Sequence, residues 1–149
     1  MTLPERPIQA VLFACNLNCV RSPMAEGLFK RRFAKRVYAD SVGVRPGSAV
    51  DPLAVEALDE LGVDLSRHRP KGFDALDDMN FDLVVSLTPE AHHRAVELTR
   101  LFDVGIEYWP TFDPTLSEGA RAQRLEEYRA VRDQLDQRIA KRFAMLSTF

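Results

Sequence analysis

A cysteine and an arginine with five residues between them, Cys15 and Arg21, are the side chains of this sequence best suited to chemistry. An apolar run ends at Cys15, and Arg21 and Ser22 open a helix-forming segment. Backbone N–H groups at such a strand–loop–helix junction bind a tetrahedral oxyanion, and an arginine fork holds two of its oxygens. The same positive field stabilises a thiolate, so the spacing predicts Cys15 as a nucleophile inside an oxyanion site. The predicted anion-binding loop comprises Asn16, Leu17, Asn18, Cys19, Val20 and Ser22.

Asp113 is the second candidate catalytic residue. It stands in the segment TFDPTLSEG, between the last predicted strand and the last predicted helix. Asp-Pro is also a common turn pair, but Pro114 stiffens the loop and can hold the carboxyl group in place. Cys15, Arg21 and Asp113 together predict attack on phosphorus, transition-state stabilisation and protonation of the leaving oxygen, with a phosphocysteine intermediate. This chemistry needs no metal or cofactor, and none is expected.

Composition limits the class of protein. The chain has 149 residues, of which 46% are hydrophobic, and we expect one phosphatase-like domain over residues 1–149. A net charge of −2 gives no case for binding nucleic acid or a membrane surface. No apolar run is long enough to span a bilayer, and the first residues do not resemble a signal peptide. Two cysteines do not form a disulfide framework, so the expected compartment is the reducing cytoplasm.

Strand-like and helix-like segments alternate along the chain and must position these residues. Such alternation predicts an α/β fold: a four-stranded parallel sheet with helices on both faces. Gly62 is expected to stop the second helix. Ligands bind beyond the carboxyl ends of the strands in such sheets, where Cys15 and the Asp113 loop would lie. The predicted strands cover residues 8–14, 37–42, 81–87 and 104–109, and the predicted helices cover residues 22–36, 51–61, 89–101 and 118–146.

The segment CNLNCVRSPMAEG resembles the active-site loop and first helix of the low-molecular-weight protein tyrosine phosphatases, whose pattern is Cys-x-Gly-Asn-x-x-Arg-Ser-Pro. Asp113-Pro114 is similar to the family's acid loop, and residues 40–44 and 51–70 resemble its second strand end, second helix and His turn. The resemblance covers nearly the whole chain and implies a Rossmann-like phosphatase fold. It also implies that Asn18, Ser22, Ser41 and His68 form a buried hydrogen-bond network, with Asn18 in a left-handed conformation.

The loop departs from that pattern at two positions. Leu17 replaces the family's glycine, which is costly if the position needs an unusual backbone angle or a close approach. Cys19 stands where the family usually faces the substrate, so it is expected to alter specificity or to pair with Cys15 under oxidation; a small apolar filler is the alternative. Thr115 and Leu116 replace the aromatic residues that often follow Asp-Pro, which weakens the case for phosphotyrosine specificity.

Three functions remain open from the sequence. The leading one is a cysteine-dependent phosphomonoesterase that acts on a phosphorylated protein or a small phosphomonoester. An arsenate reductase is the second, and because residues 20–149 contain no cysteine it would need an external thiol or glutaredoxin. A catalytically weak phosphate-loop binding protein is the third. The expected partners are the substrate and an oxyanion in the loop, and the chain is expected to be a monomer or a weak dimer.

Overall fold

The computed structural model of the chain describes residues 7–148, which form four strands and four α-helices in strict alternation. Short 3-10 helices at residues 73–75, 114–116 and 144–148 complete the described elements. In chain order the elements are β1 Ala10–Cys15, α1 Arg21–Phe33, β2 Tyr38–Gly43, α2 Pro52–Asp59, β3 Leu83–Ser86, α3 Pro89–Leu98, β4 Gly105–Tyr108 and α4 Arg121–Arg142.

The four strands form one parallel sheet in the order β2-β1-β3-β4, which confirms the predicted fold class. Strand β2 lies on one side of β1, and β3 lies on the other side. The connections after β1 and β3 therefore diverge and open a crevice at the carboxyl edge of the sheet. The loop that follows Cys15 lies at this crevice.

The two faces of the sheet are covered unequally. Along β1, Val11, Phe13 and Cys15 pack with α1, α2 and α4, whereas Leu12 and Ala14 pack on the α3 side. This alternation follows from the two-residue period of a strand. Both faces of β1 are buried, as expected for a central parallel strand. None of the helices within residues 7–148 has the length and apolarity needed to cross a membrane.

Several helices are shorter than the sequence predicted. Helix α1 ends at Phe33 rather than near Arg36, and α4 covers Arg121–Arg142 rather than residues 118–146. Gly119 has φ of +111°, which a helix cannot contain, so α4 begins only after it. The stop at Gly62 is confirmed: its φ is +76°, and the following N–H of Val63 bonds to the Leu58 carbonyl.

Candidate active site

Cys15 lies at the floor of the crevice, at the last position of β1. Its residue surface is 2% exposed, and its Sγ lies 2.9 Å from the hydroxyl oxygen of Ser22 in the first turn of α1. The Ser22 hydroxyl accepts a hydrogen bond from the Asn18 side-chain amide, so its own proton is available to the sulfur or to the Val42 carbonyl. Strand β1 thus fixes the nucleophile, and helix α1 brings a donor to it.

The carbonyl groups of the loop between β1 and α1 are all turned outward and bonded. The segment after β2 supplies most of the donors through its main-chain N–H groups, and the ring of His68 supplies another. At distances of 2.8–3.1 Å, the donors and the carbonyls that accept from them are Val44 to Cys15, Arg45 to Asn16, Gly47 to Leu17, His68 to Asn18, and Asp51 to Cys19.

The amide N–H groups of the same loop have no protein acceptor. Within the described part of the chain, no hydrogen bond is donated by the backbone N–H of residues 16–20. A run of consecutive N–H groups freed in this way makes a concave anion site, and the N-terminus of α1 adds its positive end. The loop that follows Cys15 therefore has the free donors that an oxyanion site requires.

Asn18 takes the left-handed conformation that this loop requires. Its φ is +58°, and no other non-glycine residue among residues 7–148 has a positive φ. Its side-chain amide donates to Ser22 and Ser41 at 2.7 and 3.0 Å, and its Oδ1 accepts from the backbone N–H of Lys71. The backbone angle that would penalise leucine thus falls on Asn18, and Leu17 is 49% exposed at the mouth of the loop.

His68 completes the network beneath the loop. Its Nε2 lies 3.1 Å from the Asn18 carbonyl oxygen and 3.0 Å from Asn18 Oδ1. Both partners are acceptors, because the Asn18 Nδ2 is already donating, so Nε2 must carry the proton. Burial lowers the pKa of His68, which keeps its ring neutral. The structure therefore brings together the four residues that the family resemblance groups: Asn18, Ser22, Ser41 and His68.

This burial predicts a pH dependence of stability. Because the folded pKa of His68 lies below its ordinary value of 6.5, the unfolded chain takes up the proton first as pH falls. The His68 contribution is therefore intact above about pH 7 and is lost as pH falls through 6.5 toward the folded pKa. We expect His68→Gln to remove this part of the profile of unfolding free energy, measured with urea at several pH values. His93→Gln, at an exposed helix position, is the control; parallel profiles for His68→Gln and the wild type would contradict the assignment.

Arg21 and Asp113 face each other across the cleft. The Arg21 guanidinium donates to the Thr111 carbonyl at 3.0 Å, and another of its nitrogens lies 3.7 Å from Asp113 Oδ2. The other oxygen of Asp113 accepts from the backbone N–H and the hydroxyl of Thr115. The Asp113 side chain keeps 29% exposure, so it is both oriented and accessible to a leaving group.

The three predicted catalytic residues line one cleft of about 450 Å³. Leu116 and Phe112, on either side of the Asp113-Pro114 pair, are 71% and 52% exposed. No group of three or more His, Cys, Asp or Glu side chains suited to a metal ion occurs within residues 7–148. The cleft is lined by Cys15, Leu17, Cys19, Val20, Arg21, Ala49, Val50, Asp51, Pro52, Asp113 and Thr115.

Cys19 lines the cleft, and its sulfur lies close to the main chain at Gly47. Its Sγ donates to the Leu17 carbonyl at 3.4 Å, and a Cβ atom built on Gly47 would come within 2.6 Å of it. Burial raises the pKa of the Cys19 thiol, and the nearby Cys15 and Asp51 act in the same direction. Both cysteines are free in the structure.

The sequence did not predict several residues that support the site. Gly43 ends β2 where the loop passes so closely that a Cβ would lie 2.7 Å from the Asn16 carbonyl oxygen. Thr88 caps α3 and donates to the Asn16 side chain at 2.7 Å. Tyr128 of α4 donates to Asp51 at 2.8 Å. Only Gly43 carried a local signal, as a glycine in a segment already matched to the family.

Comparison with known proteins shows the family to which the chain belongs. Residues 10–148 match the model of the family described as low molecular weight phosphotyrosine protein phosphatase. An arsenate reductase of Bacillus licheniformis is 32% identical over 136 residues, covering 91% of this chain and 95% of that protein. A glutaredoxin arsenate reductase of Synechocystis sp. is 30% identical over 142 residues, covering 94% of this chain and 100% of that protein. A solved structure of a low molecular weight protein tyrosine phosphatase from T. tengcongensis has a TM-score of 0.76 at 28% identity, covering 92% of this chain and 99% of that chain. The family match takes in both the sheet and the anion loop, and the chain therefore belongs to the low molecular weight phosphotyrosine protein phosphatase family.

Proposed function

We propose that the protein is a cysteine-dependent phosphomonoesterase that works through a phosphocysteine intermediate. The observation that carries the proposal is the run of unbonded N–H groups at residues 16–20, in the loop that begins directly after Cys15. Fixed donors of this kind stabilise the charge that develops on the equatorial oxygens of a transferring phosphoryl group. Leu17 does not oppose this function, because the strained position of the loop is Asn18.

In the first step the Cys15 thiolate attacks phosphorus, and the bond from phosphorus to the leaving oxygen breaks. Arg21 and the loop N–H groups hold the three remaining oxygens. Asp113 gives its proton to the leaving oxygen, so the alcohol or phenol departs neutral. Phosphocysteine and ionised Asp113 remain.

In the second step a water molecule attacks the phosphocysteine, and the carboxylate of Asp113 accepts its proton. The S–P bond breaks, and the electron pair returns to sulfur. Ser22, 2.9 Å from Sγ, donates a hydrogen bond to the departing thiolate. Inorganic phosphate leaves, and the starting protonation states are restored.

Arsenate reduction is the second candidate, and two of the relatives described above bear that name. Arsenate has the shape and charge of phosphate, so in the same loop the Cys15 sulfur would bond to arsenic while one arsenic–oxygen bond breaks and that oxygen leaves as water. An external thiol would then attack the Cys15 sulfur: the S–As bond breaks, its electron pair reduces arsenic, and arsenite leaves. Cys15 remains in a mixed disulfide with the external thiol, and a second thiol, such as that of glutaredoxin, reduces it. The chain has only Cys15 and Cys19, so the reducing thiol is expected to come from a low-molecular-weight thiol or glutaredoxin.

One comparison separates these functions. Purified protein is assayed for phosphate release from p-nitrophenyl phosphate and a phosphotyrosine peptide, and for arsenite release from arsenate with glutathione and glutaredoxin. Phosphatase turnover exceeding arsenite release supports the proposal, whereas the reverse favours the reductase. Phosphate binding without turnover of any substrate identifies a binding protein. We propose the cytoplasm as the compartment, because both reactions need a reduced cysteine.

Asp113→Asn should separate the role of the acid from that of binding. The amide keeps the acceptor for Thr115 but cannot donate a proton to the leaving oxygen as an acid does. We expect kcat to fall about 100-fold for an alkyl phosphate with a poor leaving group, and much less for p-nitrophenyl phosphate. Equal losses on both substrates would show that Asp113 does not protonate the leaving group.

A further inference from the structure

Asp51 brings a second carboxylate to the cleft. It lines the same wall as Cys15 and Arg21, and its backbone N–H donates to the Cys19 carbonyl at 3.1 Å. Asp51 also caps α2, because its Oδ1 accepts from the N–H of Leu53 at 2.8 Å. The carboxylate is therefore fixed beside the anion loop by both its main chain and its side chain.

Helix α4 holds the other oxygen of this carboxylate. The hydroxyl of Tyr128, a fully buried residue, donates to Asp51 Oδ2 at 2.8 Å. Burial, followed by the Asp51 carboxylate, raises the pKa of Tyr128, so the hydroxyl remains a donor. Neither partner of Asp51 is a cation, and no ion pair to Asp51 occurs within residues 7–148. No cationic side chain therefore offsets the Asp51 carboxylate through these contacts.

The charges of the cleft do not balance once a phosphoryl group is bound. Arg21 is the one cationic side chain among the described residues that line the cleft, and the phosphoryl oxygens engage it. Asp113 is protonated when it acts as the acid in the first step. With Arg21 engaged by the phosphoryl group and Asp113 protonated, Asp51 is the one charged side chain left among the described residues of the cleft. The aliphatic residues that line the cleft with it include Leu17, Val50 and Pro52.

We propose that Asp51 is a specificity-determining residue that favours substrates with a positive charge close to the phosphoryl group and disfavours acidic ones. This inference rests on the phosphomonoesterase function proposed above and names the class of substrate within it. A cation near the carboxylate gains about 1 kcal/mol in a partly solvated cleft, which corresponds to about fivefold in kcat/KM. An acidic group loses a similar factor.

The test uses three phosphotyrosine peptides that differ only in the residues flanking the phosphotyrosine, which are lysine, alanine or glutamate. We expect the wild type to prefer the lysine peptide over the glutamate peptide by about tenfold or more, and Asp51→Asn to bring this ratio close to one. Asparagine preserves the helix cap through its amide oxygen, and its amide nitrogen can donate to the Tyr128 oxygen in place of the bond that Asp51 Oδ2 accepts, so the variant removes the charge and keeps a contact to Tyr128. Asp51→Ser, another favoured cap, provides a second neutral variant. The control is Asp64→Asn, which removes the same charge from the groove between α1 and the turn after α2 and should leave the ratio unchanged.

Binding of the same peptides to Cys15→Ser, with and without Asp51→Asn, makes the outcome independent of turnover. A ratio of one in the wild type, or a ratio that survives both neutral variants, overturns the role of Asp51. If no peptide is hydrolysed, the phosphatase function fails, and the binding ratio alone decides whether Asp51 selects positively charged ligands.

Discussion

Cys15→Ser should lower kcat by at least about 10⁴-fold while the protein still binds phosphate or tungstate. A serine hydroxyl stays protonated near neutral pH, so it lacks the nucleophile that a thiolate supplies. The loop N–H groups of residues 16–20 belong to the main chain and remain in place to hold the anion. The measurements are steady-state turnover of p-nitrophenyl phosphate and calorimetric titration with tungstate.

Cys19→Ser is the matched control for this experiment. Cys19 is the other cysteine of the chain and lines the same cleft, but its thiol donates to the Leu17 carbonyl, whereas the Ser22 hydroxyl lies against the Cys15 sulfur. We expect this variant to lose far less activity than Cys15→Ser. A protein that stays active without Cys15 and loses turnover without Cys19 would reverse the assignment of the nucleophile.

Gly43→Ala should damage the anion loop from behind. An added Cβ would lie 2.7 Å from the Asn16 carbonyl oxygen and 2.8 Å from both the Asn18 nitrogen and the Leu17 carbonyl carbon. All three atoms are main chain, so no side chain can rotate to relieve the clash. We expect the free energy of unfolding to fall by about 1–3 kcal/mol. We also expect kcat/KM to fall by at least about 10³-fold, because several loop donors move together.

Gly72→Ala provides the comparison. Gly72 pairs with Gly43 across an isolated bridge, but its added Cβ would meet its nearest neighbours at 3.4–3.5 Å, an ordinary contact. It should therefore change stability and kcat/KM little. Urea unfolding and the p-nitrophenyl phosphate assay give both quantities, and wild-type kcat/KM in Gly43→Ala would show that this close approach does not set the loop.

The chemistry-bearing residues could be predicted because their signals are local or ordered along the chain. The interval from Cys15 to Arg21 spans one strand–loop–helix junction, and the alternation of elements places the Asp113 loop at the same edge of the sheet. The strand order within the sheet is not contained in that alternation, and it required the structure.

The supporting contacts could not be predicted because they join residues distant in sequence. Tyr128 and Asp51 are separated by 77 positions, and Asn16 and Thr88 by 72. Local patterns do not report such distances. The concern about Leu17 arose because the residue pattern does not show whether position 17 itself needs an unusual backbone angle. The family resemblance assigned the left-handed conformation to Asn18, and the structure gives Asn18 the positive φ.

The segment after β2 holds the anion loop through its main chain, which leaves its side chains free to vary. Its main-chain N–H groups at positions 44, 45, 47 and 51 bind the loop carbonyls, and this bonding does not depend on which side chains the segment carries. Ala49 and Val50 of the same segment line the cleft, where a leaving group would lie. We therefore expect substitutions at these two positions to change which substrates fit the cleft while the anion loop keeps its shape.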